Sequence, residues 1–390
     1  MTNDGMTTRL APLMQRLDQA IPAAIELRRE IHASPYISGE EGPTAALVAA
    51  ALGAPDAPDV AGGRVIRIGS KSGPSIAIRG ELDALPIQER TDVPWRSTNG
   101  AMHACGHDVH LAALTAVAHA LAEEPISMVA LLQPREEAVP GGALDMVKSG
   151  ALEDAEVRAV IGAHVHPQIA MGQFSAYPGV MNASSDEFTL VIRGRGGHGA
   201  YPHATADPIV ASATVINALQ QIVSRRSNPM EPTVITVGSI HGGAAANAIP
   251  DQVTITGTIR AYDAGHRHNL HTLIGQTAEH AAALHDCHII AEFRLGEPAL
   301  RNDEDLAERL TEWAHADGLV SSHPLRSCGA DDFAFYGEIL PSVMTFVGAG
   351  NAQGPTPELH SAEFLPEDRI VRDTARIMIA GYLAACDLLQ

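Results

Sequence analysis

The chain of 390 residues is poor in cysteine, in aromatics and in positive charge, and each shortage excludes something. Four cysteines, Cys105, Cys287, Cys328 and Cys386, are too few and too scattered to form a disulfide framework in a chain this long. Aromatic residues make up 4%, and Trp95 and Trp313 are the only tryptophans, which leaves no platform for stacking bases or sugars. Lys and Arg number 26 against 46 Asp and Glu, a net charge of -20. A surface so acidic repels phosphate backbones and anionic lipid, so nucleic-acid and membrane-surface partners are not expected. No run approaches the roughly 18 consecutive apolar residues of a membrane span. Met1–Arg9 lacks the basic start and apolar stretch of a secretory signal, so the expected compartment is the cytoplasm, with reduced thiols.

What is present is an ordinary globular share of apolar residues, 45%, and a high count of histidine, 19. Ile21–His32 has apolar residues at helical spacing with Pro22 in a first turn, and a second helix is predicted over Pro43–Leu52. Strands follow at Val65–Ile68 and Ser75–Arg79, then a helix at His107–Leu121 and the apolar run Met128–Gln133, read as a buried strand. A helix at Leu144–Ser149 and another buried strand, Ala159–Ala163, continue an α/β alternation with a mostly parallel sheet. From about Ser184 the pattern changes. Strands at Phe188–Arg193, Thr233–Ile240, Gln252–Ala261 and His288–Leu295 alternate apolar and polar residues, with helices at Asp207–Val223 and His266–Leu284. That is a βαββαβ unit of α+β type. Helix Glu304–Ala316, strand Ser342–Val347 and helix Glu367–Leu388 then resume the first style. The expected organisation is one α/β domain, 1–185 and 296–390, interrupted by an inserted domain, 186–295.

The densest chemistry is His103-Ala104-Cys105-Gly106-His107-Asp108, where thiolate and imidazole are both strong ligands for zinc-class metals. Gln133-Pro134-Arg135-Glu136-Glu137 follows a predicted strand, where ligands gather in open α/β sheets. Adjacent carboxylates there suit two jobs, one holding a metal and one taking a proton from water. The next strand leads into His164-Val165-His166, and spacing does not choose between its histidines; His360 sits in a loop before the last helix.

In these residues the chain resembles the aminoacylase-type two-metal metallopeptidases, peptidase family M20, and most of all their amidohydrolase branch of N-acyl-amino-acid, hippurate and auxin-conjugate hydrolases. The resemblance runs over nearly the whole chain. It includes Arg28-Arg29 with His32, Arg79-Gly80-Glu81-Leu82-Asp83-Ala84-Leu85-Pro86, the two clusters above, and Gly196-Gly197-His198-Gly199. It continues through Asn247-Ala248-Ile249-Pro250, Gly257-Thr258-Ile259-Arg260, Asp331-Asp332-Phe333 and His360. It implies a two-metal hydrolase domain with an inserted lid and dimerisation domain. Cys105, His107, Glu137, His164 and His360 would hold two divalent ions (zinc, manganese, cobalt or nickel), with Cys105 as the bridge. Glu136 would be the general base that deprotonates the attacking water. His198 would reach the partner subunit's site in a homodimer and donate to the oxyanion. Asn247 and Arg260 would hold the substrate, an N-acyl amino acid.

Three stretches depart from the family pattern. Arg-Ala-Asp-Met-Asp reads Arg79-Gly80-Glu81-Leu82-Asp83, Ser-Glu-Asp-Phe reads Ala330-Asp331-Asp332-Phe333, and Pro-Ala-Glu-Glu reads Pro134-Arg135-Glu136-Glu137. None removes an expected ligand or the base. His110, like most other histidines, is read as surface or core packing. The alternatives are a small dipeptidase on the same metal centre and a thiol hydrolase with Cys105 as nucleophile.

Overall fold

The structure, a computed structural model, describes residues 3–350 and 355–389; Met1 and Thr2, the start of the stretch read for a signal, lie outside them. Helix α1 spans Asn3–Ala33, with Pro12 and Pro22 inside it, so Pro22 lies mid-helix and not in a first turn. An interior proline costs roughly 3 kcal/mol. Leu10, Leu13, Leu17, Ala24, Leu27 and Ile31 are all buried and continue one apolar stripe past both prolines. At about 1.5–3 kcal/mol per buried large aliphatic side chain, that stripe outweighs the prolines.

The chain continues through α2 (Gly42–Ala51), β1 (Arg64–Ile68), β2 (Ser75–Glu81), α3 (His107–Leu121) and β3 (Ser127–Gln133). Next come α4 (Ala143–Lys148), α5 (Ala151–Asp154), β4 (Val157–Ala170), β5 (Gln173–Ser175) and β6 (Gly179–Asn182). Then follow β7 (Ser184–Arg193), β8 (Gly197–His198), α6 (Pro208–Gln221), β9 (Thr233–Gly242), β10 (Ala248–Ile249), β11 (Gln252–Ala261), α7 (Ala264–Ala283) and β12 (His288–Leu295). The last elements are β13 (Leu300–Asn302), α8 (Glu304–Ala316), β14 (Val320–Ser321), α9 (Ala334–Gly337), β15 (Ser342–Gly350) and α10 (Ile370–Leu388).

Two compact units form. Asn182–Leu300 packs with Arg326–Asp331; Met1–Met181, Arg301–Leu325 and Asp332–Gln390 make the other. The larger unit is built on a seven-stranded sheet of order β1-β3-β2-β4-β15-β5-β14. Its central pairs β3-β2, β2-β4 and β4-β15 are parallel, and β1 is an antiparallel edge. β2 and β3 are buried at every position, as strands covered on both faces must be. α3 touches α1, α10 and the sheet, and all of its residues but His119 are buried. A helix sunk this deeply carries its polar residues into the interior, where each needs a partner.

β4 corrects the expected strand Ala159–Ala163. It runs on to Ala170, because β15 pairs alongside it from Ser342 to Gly350. His164 therefore lies within a strand and not at its end. Continuing the β2–β4 register past Ile78–Ile161 still sets His164 level with Glu81, where β2 stops.

In the smaller unit an antiparallel sheet of order β12-β7-β11-β9 carries α6 and α7 on one face. Phe188, Leu190, Ile192, Val215, Leu219, Ile255, Leu270 and Ile274 form its core. Alternate residues of β7 and β11 are buried, matching the period-two pattern of the sequence. Asp207 caps α6, accepting from the N–H groups of Ile209 and Val210.

Candidate metal centre

The centre lies where β2 and β3 end and α3 begins. Gly106 makes the entry to α3 in a left-handed conformation, φ +88°. A Cβ there would stand 2.4 Å from Val165 Cγ2, so only glycine lets the helix start dock on β4. His107 is thereby the first residue of the helix, and its Nδ1 lies 2.8 Å from the Asp83 carbonyl oxygen. A carbonyl only accepts, so Nδ1 carries a proton and Nε2 is the nitrogen left to face an ion. That Nε2 is buried without a hydrogen-bond partner, with Glu136 Oε2 at 3.7 Å.

His164 repeats the arrangement. Its Nδ1 donates to the Val165 carbonyl at 2.8 Å, and its Nε2 lies 3.4 Å from Cys105 Sγ. His166, the other candidate on this strand, accepts from the Gln168 N–H and packs on Phe346. His360 adopts φ +64°, with its N–H on the Ala104 carbonyl at 2.9 Å, and its Nε2 is 3.2 Å from Glu137 Oε1. A non-glycine residue held in this region is strained and persists only where surrounding structure fixes it. Ligand atoms of Cys105, Glu137 and His360 all lie within 4.8 Å of one another, as do those of His107, Glu136 and Glu137.

Asp83 holds the acidic loop. Its fully buried carboxylate accepts from the Glu136 N–H at 3.1 Å on Oδ1, and from the Glu137 N–H at 3.0 Å and the Ser38 hydroxyl at 2.6 Å on Oδ2. Arg135, just ahead of the pair, has φ +50°; its N–H goes to Glu41 Oε1 at 2.9 Å. Below lies a buried network. Arg79 pairs with Glu81 and with Asp332, Gln133 bonds Arg79 and Asp332, and Glu81 Oε2 meets His110 Nδ1 at 3.0 Å.

The electrostatics suit a cation. Burial pushes the Cys105 thiol well up, and the neighbouring Glu137 and Glu136 push it further. Burial, reinforced by His110, pushes His164 well down, which leaves its ring neutral. Glu137 goes the other way: burial would raise it, but His360 and His107 hold it below the usual carboxylate range. Burial would lower His107, yet Glu81, Asp83 and Glu137 raise it overall. His103, also in the motif, is fully buried with both ring nitrogens unpartnered, and burial pushes it down to about 3. A cysteine sulfur, imidazole nitrogens and carboxylates gathered in overlapping groups suit a divalent transition metal, and the unpartnered His107 Nε2 is where an ion would satisfy it.

The structure thus brings together all five expected ligands and Glu136. His198, Asn247 and Arg260 belong to the smaller unit. His198 on β8 pairs with Ala248 of β10, and the Gly199 N–H bonds the Asn247 carbonyl at 2.8 Å, so these two segments meet. Both side chains are exposed. His198 Nδ1 accepts from the Ala200 N–H at 3.0 Å, which leaves Nε2 as the protonated, donating nitrogen. Arg260 is half-buried on β11 and lies elsewhere in the sheet, opposite Ser185 and Val234. Reading the sequence missed His110, set aside as packing: it is fully buried and makes hydrogen bonds at both ring nitrogens. Its signal was the three-residue step from His107 on a helix, which puts both rings on one face.

A parallel-sheet domain with such donors beside the ends of β2 and β3 fits the class of metal-dependent hydrolases. Residues 77–376 match the model of peptidase family M20/M25/M40. The N-acetyl-L-cysteine deacetylase of Bacillus subtilis is 37% identical over 380 residues, covering 95% of this chain and 90% of its own. The IAA-amino acid hydrolase ILR1-like 4 of Arabidopsis thaliana is 37% identical over 358 residues, covering 87% and 80%. Among solved structures, an aminohydrolase of methicillin resistant Staphylococcus aureus superposes with a TM-score of 0.89 at 31% identity, over 97% of this chain and 99% of that one. The YXEP protein of Bacillus subtilis, a dinuclear metal binding peptidase from the M20 family, gives 0.82 at 28% identity, over 95% and 99%. The chain belongs to peptidase family M20/M25/M40, and it is an amide-bond hydrolase of the amidohydrolase branch. Among the described residues no helix is long and apolar enough to cross a membrane.

Proposed function

We propose that this enzyme hydrolyses the amide bond of N-acyl amino acids, with Glu136 as general base beside a pair of divalent ions. The observation that carries the reading is the unpartnered His107 Nε2, 3.7 Å from Glu136, with Glu137 grouped beside both and linked to His360 and Cys105, and with His164 3.4 Å from Cys105. The substrate class follows from relatives whose names specify N-acetyl-L-cysteine and IAA-amino acids. Those five side chains would hold the ions, zinc, manganese, cobalt and nickel all being compatible with the donors. Bound there, such ions supply Lewis acidity, polarising a carbonyl and making water acidic enough to attack at neutral pH.

The chain's own residues do the rest. Asp83 aims the Glu136–Glu137 pair through their two backbone N–H groups. Glu136 takes the proton from the attacking water and passes it to the departing amine nitrogen. The inserted domain, 186–295, acts as lid and dimer contact, and His198 donates from Nε2 to the oxyanion in the partner subunit's site. Asn247 and Arg260 hold the substrate, the guanidinium of Arg260 matching a free carboxylate. A Cys105 nucleophile is disfavoured, because it would leave the adjacent Glu136 and Glu137 and the unpartnered His107 Nε2 without a role.

The test is a panel of N-acetyl, N-benzoyl and indole-acyl amino acids beside unblocked dipeptides, assayed before and after chelation. Turnover of an N-acyl amino acid that chelation abolishes and a divalent metal restores is the expected result. Turnover of dipeptides alone moves the substrate class to peptides. Full activity after chelation, lost on thiol alkylation, overturns the metal reading.

A further inference from the structure

We propose that His110 is a positioning residue that holds His164 ready as a metal ligand, an inference that rests on the metal centre argued above. β2 pairs with β4 only as far as Ile161, so beyond that point β4 needs other partners on that side. The Val165 N–H finds one in His110 Nε2, at 3.0 Å and fully buried. A backbone N–H always donates, so His110 Nε2 must be the bare nitrogen, and its proton sits on Nδ1, aimed at Glu81 Oε2 at 3.0 Å. Glu81 is in turn clamped by Arg79, which also reaches Gln133 and Asp332.

The same Val165 peptide orients the ligand. Its N–H is fixed by His110, and its carbonyl accepts from His164 Nδ1 at 2.8 Å, which turns His164 Nε2 toward Cys105 Sγ. The rings of His110 and His164 stand 4.7 Å apart, and Gly106 lets α3 approach closely enough for the contact. His110 thus lies among the buried donors with His107 and His164, but its hydrogen bonds occupy both nitrogens. It supports a ligand and is not one. Partners of this kind fix the tautomer and direction of a ligating histidine, and their loss typically costs about 10–100-fold in metal affinity.

The test uses the full chain stripped of metal, with zinc affinity measured by competition against a chromophoric chelator. His110→Leu should lower affinity for at least one zinc ion by about 10–100-fold. His110→Gln, whose side-chain oxygen can still accept from the Val165 N–H, should stay within about threefold of the parent on this reasoning. In nitrogen-15 spectra of histidine-labelled, zinc-loaded parent chain, His110 should carry its proton on Nδ1 with Nε2 free of metal, while His164 Nε2 is metal-bound. A parent chain that binds zinc and a folded His110→Leu that binds it equally well would overturn the positioning role alone. So would weakened binding in a folded His110→Gln, or a metal-bound His110 Nε2 in the parent spectra, which needs no variant to fold. A parent chain that binds none of zinc, manganese, cobalt and nickel overturns both this role and the metal centre.

Discussion

Asp83→Asn is the substitution that best separates aiming the base from supplying it. Asp83 Oδ1 takes the Glu136 N–H and Oδ2 takes the Glu137 N–H with the Ser38 hydroxyl, all within 3.1 Å. Asparagine fills the same volume but has one oxygen and one NH₂, so either orientation sets a donor against a backbone donor. A hydrogen bond to a charged group contributes about 1.5–3 kcal/mol, and a buried group left unsatisfied costs about 1–3 kcal/mol. We expect a loss of about 2–4 kcal/mol, relieved by moving the 134–137 loop. A displacement of about 1 Å at a reacting group can cost about 10²-fold in rate. Urea unfolding of the metal-free protein reads the first number, and kcat on the best N-acyl substrate reads the second. A variant with stability within about 0.5 kcal/mol of the parent and kcat within about threefold would refute the role given to Asp83, since surface-like behaviour is incompatible with that geometry.

Gly106→Ala combines left-handed strain of about 1–2 kcal/mol with a Cβ 2.4 Å from Val165 Cγ2, for a total destabilisation of about 2–5 kcal/mol in denaturant unfolding. A loss below about 1 kcal/mol would mean that α3 is not docked through this glycine. His32 supplies a pH test: burial would lower its pKa, but Asp108 at 3.0 Å and Glu89 at 3.2 Å raise it to about 9 from 6.5. A raised folded-state value stabilises fully below 6.5 and loses that stabilisation as pH climbs through about 9, so stability should fall across this window and His32→Gln should remove the slope. Chains carrying His198→Ala and chains carrying Glu136→Gln should each be nearly inactive alone and regain activity in mixed dimers. No recovery in demonstrably mixed dimers would place His198 outside the partner's site.

Most of the fold was legible because its elements carry clean periods. Helices His107–Leu121 and Glu304–Ala316 and strands Gln252–Ala261 and His288–Leu295 coincide with their predicted spans. The errors lie where tertiary packing overrides a local signal. Pro22 reads as a helix start, but a stripe from Leu10 to Ile31 buried against α3 and α10 carries α1 past it. The histidine after Ala163 reads as a strand end, but β15 prolongs β4 to Ala170. The ligand residues were visible because thiolate, imidazole and carboxylate are unusual in combination. What supports them was harder to see: the step from His107 sets His110 on the same helix face, but its link to Glu81 and to the Val165 backbone N–H comes only from the way α3 packs on β4. The choice of His164 over His166 likewise needs the 3.4 Å approach to Cys105, since both side chains lie on one face of β4.

The central claim is that adjacent carboxylates divide the work, Glu137 toward the metals and Glu136 toward the proton. Zinc content and turnover measured together on Glu136→Gln test it most directly. The expected result is zinc content equal to that of the parent chain with turnover lower by about 10²–10⁴-fold, the range for a positioned general base. Turnover equal to the parent, or a loss of activity that merely follows a loss of zinc, would contradict the assignment of the base.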